Sequence, residues 1–257
     1  MKCSNNNNKI IHIGMIALLC CSLLSGCSMN AYPKEQPLHV NTASNLPIVR
    51  PAGLASNNVV IPYDAYVYDD ADFEYEAGLL INQTKNSVVC AVNPHKQIYP
   101  ASMTKILTAV VVMDAVNSGQ ISLNDTVVIR KEIEFNEANV TALGLEPGDY
   151  ITVNELLHGL LISSYNDCAI ALARYVSGSV SDFVDLMNKK AQELGATNSH
   201  FVNPHGLHDN NHYTTPYDLY LIFKEFLKYD TLVQIDSSSS YVLTMYKDSE
   251  KITTELT

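Results

Sequence analysis

Between Met103 and Val116 the chain runs through a stretch in which Ile106, Leu107, Val110, Val111 and Ala115 recur at helical spacing. This pattern predicts a helix that is largely buried, and a buried helix needs other elements packed around it. The 257 residues, 47% hydrophobic and 17% charged, suffice for one sizeable domain with a core and do not have the composition of a disordered chain.

The surrounding pattern supplies those elements. Ala77 to Ile81 and Val88 to Val92 are short apolar runs separated by the turn-like Asn82-Gln83-Thr84-Lys85-Asn86-Ser87, which predicts a hairpin ahead of the buried helix. Thr152 and Glu155 form a capping box before Leu156 and Leu157. Asp167 opens an Ala-rich helix reaching about Val176, and Ser181 to Leu194 is amphipathic and stopped by Gly195. Thr215, Pro216 and Asp218 head a helix expected to reach about Tyr229. Tyr241 to Tyr246 and Ile252 to Leu256 read as strands. A hairpin, several helices and a return to strands make an α+β order.

The first residues are a targeting signal. Lys2 and Lys9 stand in an Asn-rich start without acidic residues, and an apolar run from Ile10 to Leu24 follows that is too short for a membrane span. Leu24-Ser25-Gly26-Cys27 resembles the bacterial lipobox, which makes Cys27 the expected lipidated first residue and 1–26 a lipoprotein signal peptide; the alternative is an ordinary signal with an incidental Cys. Residues 27–70 are expected to form a flexible tether, with an acidic, Tyr-rich lead-in from Tyr63 to Glu76, and 71–257 the folded domain. Only Cys90 and Cys168 remain within that domain. Both sit among apolar neighbours, so they are expected to be buried small side chains; a disulfide between them is the other option. The formal charge is −11, and without Lys2 and Lys9 there are 14 basic against 27 acidic residues, which argues against non-specific nucleic-acid binding.

Two short motifs carry chemistry. In Ser102-Met103-Thr104-Lys105 the spacing i, i+3 puts the amine on the same helix face as the hydroxyl. A serine is a poor nucleophile without an adjacent base, and a lysine serves as base once burial lowers its pKa. A helix start also favours a developing anion at Ser102. By itself the pattern fits a capping serine with a surface lysine equally well. Ser164-Tyr165-Asn166 falls between two helices, where a second serine can relay a proton and an amide can hold both a substrate amide and the lysine. Alone, it reads as a helix cap. His205, His208 and His212 are spaced like metal ligands but belong to a polar loop, and neither a metal site nor a cofactor is expected.

Ser-x-x-Lys followed by Ser-x-Asn resembles the active-site set of penicillin-binding proteins and serine β-lactamases. Pro100-Ala101-Ser102-Met103-Thr104-Lys105, Leu160 to Asp167, and Phe201-Val202-Asn203-Pro204-His205-Gly206-Leu207 with Tyr213-Thr214-Thr215 are similar to segments of the low-molecular-weight D-Ala-D-Ala carboxypeptidases, over about residues 75 to 235. The resemblance implies a β-lactamase/transpeptidase-like fold, an antiparallel sheet flanked by a helical cluster. It implies Ser102 as nucleophile, Lys105 as base, Ser164 as proton relay, and Asn166 with Tyr165 as substrate contacts. The implied partners are peptidoglycan stem peptides and, as covalent inhibitors, β-lactams, at the outer face of the membrane.

Two features depart from that family's pattern. Tyr165 stands where Gly is usual, which bears on substrate preference. The third motif, Lys-Thr-Gly on a late strand, does not occur in the 257 residues. That motif contributes a cleft wall, a cation for the substrate carboxylate and half an oxyanion hole. A chain cut short before the C-terminal sheet strands is therefore the expectation, with poor folding and no turnover. The rival readings are a serine β-lactamase, and a non-catalytic penicillin-sensing or peptidoglycan-binding lipoprotein.

Overall fold

The computed structural model describes residue 61, residues 76–137 and residues 140–257. The signal peptide, Cys27, and the tether and lead-in apart from Ile61 and Glu76 lie outside the described residues. Ile61 is buried, and its carbonyl accepts a hydrogen bond from His95 Nε2 at 2.8 Å. At that one position the segment read as tether is docked on the domain. No helix among the described residues is long and apolar enough to cross a membrane.

The chain opens with the expected antiparallel hairpin, β1 (Gly78–Asn82) and β2 (Ser87–Val92), which forms a two-stranded sheet with a bulge at Leu80/Ile81. Asn86 takes a positive φ to close its turn, and the Asn82 side chain accepts from the Lys85 N–H. A single 3₁₀ turn over Ala101–Met103 leads into α1 (Thr104–Asn117). Leu107, Ala109, Val110, Val111, Val112, Met113 and Ala115 of α1 are all buried, so the helix is enclosed rather than amphipathic. It packs against four others: α2 (Val153–Leu161), α3 (Asn166–Ser177), α4 (Val180–Glu193) and α5 (Pro216–Phe226).

The caps hold with one change. Thr152, Ser179 and Thr215 each accept from the N–H three residues on. The Glu155 carboxylate, however, does not return to the backbone of Thr152. It accepts from the Tyr241 hydroxyl and the Thr244 N–H, both at 2.8 Å, and so ties the start of α2 to a late strand. Non-local partners have taken over half of a local capping box.

The helix expected from Thr215 to Tyr229 ends at Phe226 instead, and a further helix, α6 (Asp230–Asp236), follows. The Tyr229 hydroxyl donates to the Asp114 carboxylate on α1, which fixes the break. Two three-residue strands, β3 (Thr126–Val128) and β4 (Tyr150–Thr152), are too short for a period of two to show in the sequence. They join β5 (Tyr241–Lys247) and β6 (Glu250–Leu256) in an antiparallel sheet of order β3-β4-β5-β6. Asp248 and Ser249, both at positive φ, form the two-residue turn between β5 and β6. Leu243, Met245 and Leu256 bury one face of this sheet in the helical core. The architecture is α+β, a helical cluster with antiparallel sheet packed on it. Cys90 is half-buried, Cys168 is buried, and both are free thiols.

Candidate active site

The backbone around Ser102 is built to present one side chain. Ala101 adopts φ +48°, a conformation that a residue with a Cβ rarely takes, and the 3₁₀ turn then leads straight into α1. Ser102 is exposed at this corner, whereas Lys105, one turn on, is only 2% exposed. The Lys105 amine reaches three acceptors: Ser102 Oγ at 3.2 Å, Asn166 Oδ1 at 2.8 Å and the His205 carbonyl at 2.8 Å. None of the three is a carboxylate. Burial therefore lowers the lysine pKa, only partly opposed by the Cys168 thiol nearby, and leaves it at about 8. A neutral amine beside a serine hydroxyl is thus accessible near physiological pH.

The segment Asn203 to Leu207, which sequence reasoning matched to a family without giving it a task, completes this arrangement. The Asn203 side chain accepts from the N–H groups of His205 and Gly206 and donates to the Leu207 carbonyl, which shapes the turn. The Pro204 carbonyl accepts from Thr108 Oγ1 at 2.7 Å, and the His205 carbonyl faces Lys105. Gly206 has φ +90°, and a Cβ there would lie 1.9 Å from the Ala101 carbonyl oxygen. This turn presses directly on the backbone that carries Ser102, and only glycine permits it. The glycine in the motif was the available signal; its contact with Ala101 was not legible.

Two histidines beside this turn are held neutral. His205 Nδ1 accepts from the Leu207 N–H, and the ring meets Phe135 edge-on. Burial, and next the charge of Lys105, push its pKa down to about 4. His212 Nδ1 accepts from the Val202 N–H at 3.1 Å, so its Nε2–H donates to Thr104 Oγ1 at 2.7 Å. Burial is again the leading cause that brings its pKa to about 4. Their hydrogen bonds go to protein groups, and among the described residues no three His, Cys, Asp or Glu side chains cluster as metal ligands do.

Ser164-Tyr165-Asn166 forms the turn between α2 and α3. Ser164 has φ +56°, and Asn166 is buried with its amide on Lys105. The hydrogen bonds of the Lys105 amine do not include Ser164. The Tyr165 ring is half-buried on the core; a Cβ at Gly159 would lie 3.2 Å from its Cδ2 and 2.8 Å from the Cys168 sulfur. Asp167, read from the sequence as a helix opener, does more. Its buried carboxylate accepts from the N–H groups of Leu143, Gly144, Leu145 and Cys168 and so pins the 141–146 loop beside the site.

Residues 65–256 match the family model described as D-alanyl-D-alanine carboxypeptidase. The chain is 39% identical over 161 residues to the D-alanyl-D-alanine carboxypeptidase DacF of Bacillus subtilis, covering 63% of this chain and 41% of that protein. It is 35% identical over 145 residues to DacA of Haemophilus influenzae, covering 56% and 37%. Among solved structures it superposes on DacD of Francisella tularensis with a TM-score of 0.62 at 26% identity, over 81% of this chain and 48% of that one. Penicillin binding protein 5 of Haemophilus influenzae gives 0.56 at 31% identity, over 65% and 48%. The chain spans about two fifths of the length of these curated relatives. With the family's segments in order and its fold around them, the chain belongs to the D-alanyl-D-alanine carboxypeptidase family.

Proposed function

We propose that the chain acts as a serine-type D-alanyl-D-alanine carboxypeptidase on peptidoglycan stem peptides. The observation that carries this reading is the Lys105 amine, buried, without a carboxylate partner, and 3.2 Å from Ser102 Oγ. Lys105 takes the Ser102 proton as the oxygen attacks the carbonyl between the two terminal D-alanines. The Ser102 N–H stabilises the resulting oxyanion. As the C–N bond breaks, the proton passes by way of Ser164 to the departing D-alanine amine, and water then releases the acyl group from Ser102. Asn166, with its carbonyl oxygen committed to Lys105, keeps its amide N–H₂ for the substrate backbone. The ring of Tyr165 sets the width of the cleft on that side. β-Lactams acylate the same Ser102 because their amide is an analogue of the scissile bond.

Two measurements test this. Mass spectrometry after incubation with an activated acyl probe is expected to find the adduct on Ser102, and to find it lost in Ser102→Ala. Release of D-alanine from a D-Ala-D-Ala peptide tests turnover separately. Release that persists in Ser102→Ala overturns the assignment.

The same proposal includes attachment through a lipid on Cys27, at the end of the apolar leader, with the domain at the outer face of the membrane. Labelled fatty acid incorporated by the wild type and absent from Cys27→Ala supports it; equal labelling contradicts it.

A further inference from the structure

Away from Ser102, a cleft of about 450 Å³ lies between β3, the segment that follows it, and the junction of α3 with α4. Its apolar floor includes Val127, Ile129 and Ile133, and its charged lining consists of Arg130, Lys131 and Arg174 with no carboxylate. This is an unusual place for positive charge. The chain is formally −11 and has three arginines in all, and both of those among the described residues line this one cleft.

Arg174 is oriented from behind. Its guanidinium donates to the carbonyls of Lys131 at 3.2 Å and Glu132 at 3.3 Å, which holds the 131–132 segment along the cleft and fixes the plane of the fork. Outside the lining, Asp125 accepts from the Tyr175 hydroxyl at 3.0 Å and from the Ser122 N–H at 2.8 Å, and Glu132, Glu134 and Asp182, in the adjoining segment and the first turn of α4, are exposed. Ser179 and Val180, the cap and first residue of the 14-residue α4, complete the rim with the positive end of a helix.

We propose that this cleft binds a phosphoester group whose apolar portion lies on the Val127, Ile129 and Ile133 floor. Three cations without a counter-charge suit a group carrying between one and two negative charges better than a single carboxylate, and arginine's planar fork matches phosphate oxygens in pairs. Two sources share this chemistry: a soluble glycerol-phosphate unit and the head group of an anionic phospholipid.

The test uses the full chain and glycerol 3-phosphate, titrated at constant ionic strength by calorimetry. Saturable binding that weakens about tenfold or more in the Arg130→Gln, Lys131→Gln double variant is the expected result. Both side chains are exposed, so the variant is expected to keep the wild-type melting temperature, and a melt confirms that it is folded. Absence of saturation up to about 10 mM, or equal binding by the variant, overturns the proposal. Co-sedimentation with phosphatidylglycerol vesicles distinguishes the sources. Sedimentation that depends on Arg130 and Lys131 assigns the lipid head group, and glycerol 3-phosphate binding without it assigns the soluble unit.

Discussion

Two lysines, one buried and one half-buried, follow opposite logic in the same helical cluster. Lys105 is surrounded by a hydroxyl, an amide oxygen and a backbone carbonyl, and its pKa falls to about 8. Lys190, whose side chain is 15% exposed, pairs with Asp114 at 2.9 Å and Glu225 at 3.7 Å. Burial pulls the Lys190 pKa down as well, but the carboxylate of Asp114 and then that of Glu225 more than restore it, and it ends above the usual value. What separates a lysine fit to take a proton from one that only joins helices is the charge of its acceptors; depth of burial alone does not decide it.

The contrast breaks most sharply if the base is removed. Lys105→Met is expected to slow acylation of Ser102 by about a hundredfold to ten-thousandfold. Its melting temperature at neutral pH should hold or rise, because a buried amine with a depressed pKa opposes folding. Stability contributed by a lysine whose folded pKa is about 8 grows as pH rises from 8 towards the unfolded value near 10.4 and is missing below 8. The wild type should show this rise, at most about 1.4 kcal/mol per pH unit, and Lys105→Met should lack it. A variant that keeps the wild-type acylation rate removes Lys105 from the mechanism.

Giving Lys105 the kind of partner that Lys190 has should come next in size. Asn166→Asp places a carboxylate at the 2.8 Å position and is expected to raise the lysine pKa by about one to three units. The pH profile of acylation should move upwards by that amount, with a roughly tenfold to thousandfold loss at neutral pH. An unmoved profile would show that the acceptor charge does not set the pKa.

Gly206→Ala tests the contact behind the nucleophile. The new Cβ meets the Ala101 carbonyl and requires a strained φ, so stability should fall by about 1–3 kcal/mol with acylation impaired alongside. Smaller again is Lys190→Met, which leaves the half-buried Asp114 without its cation, while Glu225 keeps its ion pair with Lys228. Loss of about 1–2 kcal/mol with an unchanged acylation pH profile is expected in a denaturant melt. His205 and His212 complete the series. Their neutral forms contribute stability that is lost as pH falls from about 6.5 through about 4, and His212→Gln should flatten part of that acid loss.

Much of this was legible before any coordinates. Helical spacing marked α1, and the turn residues marked the first hairpin. Side-chain oxygens three residues ahead of an acidic residue located the caps at Thr152 and Thr215, and Tyr241 to Tyr246 and Ile252 to Leu256 read as strands within β5 and β6. Each of these signals is local. The sixth helix escaped because the break before it depends on Tyr229 reaching Asp114, 115 residues away. β3 and β4 escaped because three residues carry no period.

The same division runs through the site. The spacing of Ser102 and Lys105, the polar turn at Ser164 to Asn166 and the glycine at 206 are properties of the sequence alone, since a one-turn offset and a positive φ are set within a few residues. That Lys105 is buried, that two of its three acceptors come from residues 61 and 100 positions further on, and that none of the three is charged was decided only when the chain folded. A pKa measures the whole surroundings of a group, and those surroundings are assembled from segments that the sequence keeps far apart.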